Sequence, residues 1–417
     1  MVFLFWLSLA IIAYVYLAYP AMLAIWARAG RRPVVARSHP MPPISIIIAA
    51  HNEGARLGAR LDNLLQLEYP APRQIVVVSD GSVDDTRAVL TSYEPEVEVV
   101  SIEHSGKAIA LNAGVACARH DVLVFTDARQ AFAPDALLEL TAPFEDPHVA
   151  AVTGELLLDS ESPERRQMPG LRRALTTRLL PHDRRACTDR RRTLQSTIAE
   201  GVGLYWRYEK AIRKYESAVG STLGATGAIY AMRRALWTPL PAGTILDDVL
   251  APMRAVLAGY RVVFNPRARA FDREIRDGSA EARRKIRTLA GNYQILWLEP
   301  RLLLPWRNPV WAQYLSHKLG RLVVPYAMLA LVASSIVLAT QSVVYALTLG
   351  LQGVFYLLAA YGAWLNRPLT EQAAHPAPAN GSALIKRTSR IAFTFLMMNS
   401  SAVAGLVAIT FRKKVWR

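Results

Sequence analysis

Acidic side chains stand at four places along one part of this 417-residue chain. They are Glu53 in SIIIAAHNE, Asp80 in IVVVSDGS, Asp127 in VLVFTDAR, and the neighbours Asp247 and Asp248 in ILDDV. The first three come at or just after the C-terminal end of an apolar, β-branched run, and ligands of open α/β sheets bind at that edge. Carboxylates accept hydrogen bonds from a base or ribose and hold divalent cations against phosphates. The pattern therefore indicates a nucleotide pocket.

These acidic residues also have a purely structural interpretation. Asp80 stands in the segment SDGS, where Gly81 permits a tight turn and the following serine can cap a helix. Asp247 and Asp248 likewise stand where a helix begins. The row of carboxylates at one predicted edge, together with Asn52 at the end of the first strand, favours binding over capping alone.

Short apolar runs alternate with amphipathic stretches from residue 44 onward, as is typical of βαβ units and a largely parallel sheet. The predicted strands cover 44–50, 74–79, 97–103, 122–126, 149–157, 227–232 and 261–264. Helices are predicted after the first strand, from residue 84, over 106–119, from residue 134, over 200–219 and over 247–258. These elements place the acidic residues on one side of a single α/β domain.

Three uncharged runs indicate membrane spans, since a bilayer span needs roughly 20 apolar residues. Residues 1–27 form one span, with a signal peptide as the alternative. Residues 322–366 are long enough for two spans with a polar break at 340–342. Residues 391–411 form a fourth span, or a re-entrant or interfacial helix, because a full span would place the basic residues after it outside the cell.

Positive charge is concentrated in three segments, 28–37, 165–192 and 283–287, within a chain of net charge +16. Anionic lipid headgroups attract such segments, and no nucleic-acid motif accompanies them, so we expect a lipid bilayer and no nucleic acid as partner. Residues 165–192 are a solvated loop or a membrane-facing regulatory one. Residues 281–298 are amphipathic and predict an interfacial helix. The two cysteines fit a reducing, cytoplasmic compartment.

Six segments in order resemble the membrane-embedded family 2 glycosyltransferases. They are SIIIAAHNE, IVVVSDGSVDDT, GKAIALNAGVACARHDVLVFTDARQ, GATGAIYAMRR, LDDVLAPMRAVLAGYRVVF and RRKIRTLAGNYQ. With the spans, they are similar to the branch of hyaluronan, cellulose, chitin and poly-N-acetylglucosamine synthases. The resemblance implies an α/β fold: a GT-A, Rossmann-like nucleotide-diphospho-sugar transferase domain embedded between transmembrane and interfacial helices. The implied divisions are 1–27 transmembrane, 41–280 catalytic, 281–320 interfacial and 321–417 transmembrane.

The resemblance also implies a role for each matching residue on the donor side. Glu53 and Asp80, with Asn52 beside them, would bind the base and ribose of a nucleotide sugar. Lys107 would lie near the nucleotide and its phosphates. Asp127 stands at the first position of the family's Asp-x-Asp motif and would hold Mg²⁺ or Mn²⁺.

On the acceptor side, Gly227 and Ala228 fall in the acceptor-binding segment. Asp248, with Asp247 before it, matches the acidic pair that contains the catalytic base. Arg284 and Arg287 fall on the family's Gln-x-x-Arg-Trp helix, which closes over the pyrophosphate and acceptor, and they would contact the donor.

The chain departs from the family pattern at two motifs. The second aspartate of the metal motif is Arg129, which cannot ligate a cation but could neutralise a diphosphate directly. The tryptophan of the Gln-x-x-Arg-Trp motif is Thr288, which weakens the case for a long, processive product. Trp206 could supply the missing stacking on an acceptor sugar, or could belong to the core.

The resulting hypothesis is an inverting glycosyltransferase of the cell membrane with its catalytic domain in the cytoplasm. It would move a sugar from a nucleotide-diphosphate donor, expected to be a UDP-sugar, to a growing polysaccharide or lipid-linked glycan, with export proteins as further partners. The alternatives are a non-processive transferase acting on a polyprenyl-linked acceptor and a catalytically silent nucleotide-sugar-binding regulator. A transporter is disfavoured because the spans carry no charge along which a substrate could pass.

Overall fold

A computed structural model describes residues 1–32, 41–158, 206–272, 278–365 and 382–411. The basic loop predicted over 165–192 and the first residues of the helix predicted over 200–219 lie outside these ranges. Described residues 206–219 are helical, in agreement with the rest of that prediction.

The centre of the chain is an eight-stranded sheet with the order β3-β2-β1-β4-β7-β6-β8-β5. The strands are β1 Ile44–Ala50, β2 Arg73–Asp80, β3 Glu98–Ile102, β4 Val122–Phe125, β5 Ala131–Phe132, β6 Val149–Leu158, β7 Tyr230–Arg233 and β8 Arg261–Asp272. Strands β1 to β4 are parallel to one another, whereas β7 runs antiparallel to both β4 and β6. The predicted α/β fold is confirmed, and its sheet is mixed.

Helices cover both faces of this sheet. They are α2 Gly54–Leu65, α3 Thr86–Thr91, α4 Lys107–Ala116, α5 Ala136–Thr141, α6 over 206–219 and α7 Asp247–Leu257. Successive strand residues point to opposite faces. Ile46 is therefore in one core cluster with Leu61 of α2, while Ile47 is in the other with Leu250 of α7.

Two strands differ from the sequence-based prediction. Strand β8 continues to Asp272, beyond the predicted end at residue 264, because small and charged residues alternate there and Ala268 and Ala270 bury against the sheet. Strand β5 has two residues and pairs with β8, and it is too short for a periodic pattern. Both lie at the edge of the sheet beside the segment that carries Arg129.

Four helices in the described residues are long and apolar enough to cross a membrane. They are α1 Val2–Ala29, α9 Trp311–Leu338, α10 Val343–Leu365 and α11 Ala383–Thr410. The polar break predicted at 340–342 lies between α9 and α10. Helix α11 begins eight residues before the predicted start at 391, so its first turns include Lys386.

The amphipathic helix α8, Gly278–Leu298, joins the sheet domain to these apolar helices. Its residue Tyr293 is buried in a cluster with Leu322 of α9 and Ala402 of α11. Part of the apolar face that the sequence assigned to the membrane surface is therefore covered by protein. Trp297, on the same predicted face, is 68% exposed.

Candidate active site

A cleft of about 450 Å³ opens at the C-terminal edge of strands β1, β2 and β4. These strands are parallel neighbours, so the residues that follow their C-terminal ends lie close together. The predicted site residues that line the cleft are Glu53, Asp80, Lys107, Asp127, Trp206, Gly227, Ala228, Asp247, Asp248, Arg284 and Arg287. The structure thus brings together eleven of the twelve predicted residues, and Asn52 is the exception.

Asn52 belongs to a turn beside the cleft. It has a positive φ of 55°, and its side-chain oxygen accepts a 2.9 Å hydrogen bond from the backbone N–H of Val83. Its own backbone N–H donates to Ser82 Oγ at 3.1 Å. The residue therefore joins the loop after β1 to the loop after β2, and its place in the sequence motif is explained by this contact.

Asp80 holds the loop that precedes α4. Its carboxylate is buried and accepts hydrogen bonds from the backbone N–H groups of Ser105, at 2.6 Å, and Gly106, at 3.0 Å. Gly81 follows with a φ of 59°, and a Cβ there would lie 2.7 Å from the backbone nitrogen of His104. Only glycine fits this close approach. The SDGS segment thus fixes the start of the helix that carries Lys107.

Two histidines that the sequence reasoning did not select stand beside Asp80. The rings of His51 and His104 lie 4.3 Å apart, and Nδ1 of His104 is 3.1 Å from Asp80 Oδ2. Nδ1 of His51 lies 2.6 Å from the Asp80 carbonyl oxygen. The three residues form a group with metal-ligand spacing. Nitrogen donors of this kind suit transition ions better than Mg²⁺. His104 has no distinctive sequence neighbours that would have marked it.

Lys107 stands between carboxylates in the middle of the cleft. Its ammonium donates to Asp127 Oδ1 at 2.9 Å and lies 3.4 Å from Asp247 Oδ2. Burial opposes the charge of Lys107, but these carboxylates and Asp248 outweigh it, so the pKa of Lys107 is raised. Burial likewise opposes the charge of Asp127, and Lys107 with Arg129 holds the pKa of that carboxyl below its usual value. Both groups are therefore charged at neutral pH.

A buried arginine contacts the residue before Asp127, at the end of strand β4. Arg60 of α2 is 2% exposed and donates to Thr126 Oγ1 at 2.9 Å. Its guanidinium also lies 4.1 Å from the ring centre of Phe132. Burial lowers the pKa of Arg60 to about 9, and Asp127 opposes that shift. The sequence offered no signal for this role, because an arginine on a predicted helix is ordinarily assigned to its exposed face.

Arg129, which replaces an aspartate of the family motif, bridges two parts of the cleft rim. Its Nε lies 3.2 Å from Asp272 Oδ2, at the end of β8, and its Nη2 lies 4.0 Å from Asp127 Oδ2. Gln130 donates to the same Asp272 oxygen at 2.9 Å. The guanidinium therefore adds a second positive charge beside Asp127, and the Arg129 side chain is 43% exposed.

Asp248 follows Asp247 and lines the same cleft. Its Oδ2 accepts a 2.8 Å hydrogen bond from the backbone N–H of Gly227, and a Cβ at Gly227 would lie 3.1 Å from that oxygen. Burial, and then the charge of Asp247, raise the pKa of Asp248 to about 6, while Lys107 opposes the shift. A carboxylate with this pKa is ionised at neutral pH and accepts a proton more readily than an ordinary aspartate.

Trp206 forms one wall of the cleft. It is partly buried against the core, and the side chains of Arg284 and Lys285 lie 6.0 and 5.7 Å from its ring centre. These distances suit cation–π contacts. The ring therefore has both of the roles that the sequence left open: it packs on the core and it faces the cleft.

The donor atoms in the cleft fit a hard divalent cation. Asp127 Oδ1 and Asp247 Oδ2 lie 2.9 and 3.4 Å from the Lys107 ammonium, and Asp127 Oδ2 lies 4.0 Å from Arg129 Nη2. Mg²⁺ is commonly bound by one or two carboxylates together with substrate phosphates. Asp127 meets that requirement, although Arg129 removes the second carboxylate of the usual motif.

Comparisons with known proteins show what this chain is similar to. Residues 45–212 match the model of glycosyl transferase family 2. A poly-beta-1,6-N-acetyl-D-glucosamine synthase of Staphylococcus epidermidis is 31% identical over 123 residues, which are 28% of this chain and 30% of that protein. Its counterpart from Staphylococcus aureus strain COL is 30% identical over the same length and covers the same shares. The match thus spans less than a third of these relatives' length.

A solved structure shows the fold along almost the whole chain. The mannosyltransferase PcManGT from Pyrobaculum calidifontis, in complex with GDP-Man and Mn²⁺, has a TM-score of 0.65. The comparison covers 98% of this chain and 99% of that one, at 20% identity. Residues 45–212 therefore match a glycosyl transferase family 2 domain, and the chain has the GT-A fold, accompanied by apolar helices long enough to cross a membrane.

Proposed function

We propose that this protein is an inverting glycosyltransferase that transfers a sugar from a nucleotide-diphosphate donor to a glycan acceptor at a membrane. The observation that supports it most is the position of Asp248, a carboxylate with a pKa of about 6 that lines the same cleft as Lys107, Asp127 and Arg129. A base and a cluster of cations on one cleft match the two demands of the reaction. A hydroxyl must lose its proton, and a diphosphate must leave.

Asp248 is the catalytic base of this proposal. It takes the proton of the acceptor hydroxyl as the hydroxyl oxygen attacks the anomeric carbon, and the bond from that carbon to the diphosphate breaks. Such a base contributes about 10²–10⁴-fold to the rate. The N–H of Gly227 holds one carboxylate oxygen at 2.8 Å and leaves the other for the acceptor. Asp247 raises the pKa of its neighbour and pairs with Lys107.

Cationic side chains stabilise the leaving diphosphate. Lys107 carries positive charge in the middle of the cleft and Arg129 at its rim, and Arg284 and Arg287 line it from α8. Preorganised charge of this kind acts on the negative charge that develops in the transition state. Mg²⁺ or Mn²⁺ held by Asp127 would add Lewis-acid neutralisation of the same phosphates when bound.

The nucleotide end of the cleft is formed by Glu53, Asp80 and His51. We assign Glu53 and Asp80 to the base and ribose. Although both oxygens of Asp80 already accept backbone hydrogen bonds, a carboxylate has about four lone-pair sites and retains capacity for a ligand. Asn52 supports this part of the cleft through the turn that it holds.

The acceptor end lies beside Asp248. Gly227 and Ala228 form its floor, and the ring of Trp206 offers a face on which an acceptor sugar can stack. Thr288 lines the cleft where the family motif has tryptophan. The stacking surface is therefore supplied from α6 rather than from α8.

We assign the donor to the UDP-sugars and the acceptor to a growing polysaccharide or lipid-linked glycan. The names of the Staphylococcus relatives support a polysaccharide product and make N-acetylglucosamine the first sugar to test. We place the catalytic domain on the cytoplasmic face of the cell membrane, between a first span and later interfacial and spanning helices. A polysaccharide product would need export partners.

The contacts of helix α11 bear on its orientation relative to the membrane. Helices α9 and α10 are joined by four residues, so the end of α10 returns toward the domain from which α9 starts. Gly362, near that end, lies against Ser389 of α11, and Gly405 of α11 lies against α8. Two distant parts of α11 thus contact elements on the domain side. This supports the proposal that α11 lies along the membrane surface rather than crossing it.

The direct test uses the purified full chain in detergent with a panel of nucleotide sugars. UDP-N-acetylglucosamine, UDP-glucose and GDP-mannose are each supplied with a glycan or polyprenyl-linked acceptor, with Mn²⁺ or with a chelator. Release of nucleoside diphosphate and product size are measured. We expect acceptor-dependent release of UDP from one donor. Binding of a nucleotide sugar without any release would contradict the transferase and support a silent regulator.

A further inference from the structure

Helix α8 contacts two parts of the proposed active site and joins them as one rigid element. Its N-terminal half carries Arg284 and Arg287, which line the cleft. Its C-terminal half contacts the segment that leads into Asp247 and Asp248. A helix resists bending over this length, so whatever holds α8 in place also holds the arginines relative to the base.

Gln294 of α8 clamps the loop before the acidic pair. Its side-chain oxygen accepts a 2.8 Å hydrogen bond from the backbone N–H of Ile245, and its amide nitrogen donates to the carbonyl of Gly243 at 2.9 Å. Both hydrogen-bonding ends of the side chain are used. The amide therefore fixes the backbone immediately before the base, without lining the cleft itself.

The helix and this loop are also in unusually close contact. A Cβ at Gly291 would lie 2.5 Å from Cγ of Leu246 and 2.8 Å from Cγ2 of Ile245. Gly291 and Gln294 are three residues apart and share one face of the helix. The loop that leads into the base is thus packed on α8 as well as hydrogen-bonded to it.

The C-terminal helix α11 supports α8 at an equally close crossing. A Cβ at Gly405 would lie 2.8 Å from the backbone nitrogen of Ala290 and 3.2 Å from the carbonyl oxygen of Ile286. These are backbone atoms of α8, which cannot move aside as a flexible side chain can. Ala402 of α11 is buried with Tyr293 of α8 at the same interface.

We propose that Gln294 and Gly405 are positioning residues of the active site, through which α11 and α8 hold the base Asp248 in register with Arg284 and Arg287. The catalytic role of Asp248 rests on the proposed function, whereas the mechanical coupling rests on the contacts alone. The C-terminal apolar helix is then part of the support of the site and does more than anchor the protein to a membrane.

The experiment compares Gly405→Ala and Gln294→Met with a matched control. Gly353→Ala is the control, because Gly353 also lies in an apolar helix and no atom lies within 4 Å of its would-be Cβ. Hydrogen–deuterium exchange is measured over residues 243–248 and over strand β1 in detergent. Steady-state kinetics with the active donor give kcat and the donor KM.

We expect faster hydrogen–deuterium exchange over residues 243–248 in both test variants. Exchange over β1 should be unchanged, which would show that the sheet is folded. A misplacement of about 1 Å can cost about 10²-fold in rate, so we expect kcat to fall by about 10- to 100-fold. The control should match the parent protein in both readouts. Unchanged exchange over 243–248 in both variants, or faster exchange with no loss of kcat, would overturn the proposal. The exchange measurement does not require sugar transfer. A failure of the mechanical coupling can therefore be distinguished from a failure of the proposed function.

Discussion

Lys107 donates a 2.9 Å hydrogen bond to Asp127, the residue at which the family motif places a metal ion. The same ammonium lies 3.4 Å from Asp247, so it sits between the strand edge and the helix that carries Asp248. A cationic side chain thus neutralises carboxylates that would otherwise repel one another. A diphosphate that enters the cleft meets this charge directly.

Replacement of Lys107 by methionine should impair transfer severely while the domain stays folded. The side chain is a third exposed, so methionine can occupy its path, but the diphosphate loses a preorganised cation. We expect kcat to fall by about 10²–10³-fold, as on loss of other such stabilising groups. Lys210→Met is the control, since the 3.0 Å ion pair of Lys210 with Glu155 lies outside the cleft. Equal losses in the two variants would contradict the assignment.

The rate of transfer should fall as the pH decreases through about 6. Asp248 must be ionised to accept a proton, and burial with the charge of Asp247 raises its pKa to about 6. Asp247→Asn removes one cause of that rise and also leaves Lys107 less neutralised. Both effects lower the pKa of Asp248, so the acid limb of the kcat profile should move to lower pH.

The matched control for this profile is Asp121→Asn, because the Asp121 side chain is 94% exposed and pairs only with Arg234 in the described structure. Its profile should coincide with that of the parent. An acid limb that moves to higher pH in Asp247→Asn would contradict the electrostatic explanation.

Arg129 should contribute to binding of the diphosphate rather than of the nucleoside. Its guanidinium lies at the cleft rim between Asp127 and Asp272. Hydrogen bonds to charged groups contribute roughly 1.5–3 kcal/mol, which corresponds to about 10-fold or more in affinity. Arg129→Ala should therefore weaken UDP binding by about 10-fold and UMP binding much less, by calorimetry.

Arg119→Ala serves as the control for charge alone, since Arg119 is exposed and pairs with Glu98 away from the cleft. An equal loss of UDP and UMP affinity in Arg129→Ala would show that Arg129 acts on the fold and not on the phosphates.

The orientation of α11 can be tested from its C-terminus. If the helix lies along the cytoplasmic face, a tag placed after residue 417 stays in the cytoplasm, where a protease added outside intact cells cannot reach it. We expect protection of this tag and cleavage only after the cells are opened. Cleavage in intact cells would show a complete span. A tag before residue 1 reports on α1 in the same preparation.

The parts of the fold that could be predicted are those with strong local patterns. Strands β1, β2 and β4 are continuous apolar runs because both faces of the central sheet are buried, and their ends could therefore be located along with Asp80 and Asp127. The apolar helices were equally clear. Strand β5 was missed because two residues contain no periodicity, and its pairing with β8 depends on distant sequence.

The residues of the site could be predicted from the sequence, but the contacts between them could not. That Asp248 and Gly227 share a hydrogen bond, or that Lys107 reaches Asp247, follows from the topology of the sheet and not from any local signal. His104 and Arg60 were missed for a related reason. Each resembles an ordinary surface residue until the loop or helix around it is folded against the strand ends.

The most direct test of the central claim is Asp248→Asn, measured for sugar transfer and for donor binding in the same preparation. The change keeps the shape of the side chain and its acceptor oxygen for Gly227, but removes the proton-accepting charge. We predict that transfer falls by about 10²-fold or more, while the affinity for UDP remains within about 3-fold of the parent value. Transfer at the parental rate by Asp248→Asn would contradict the account.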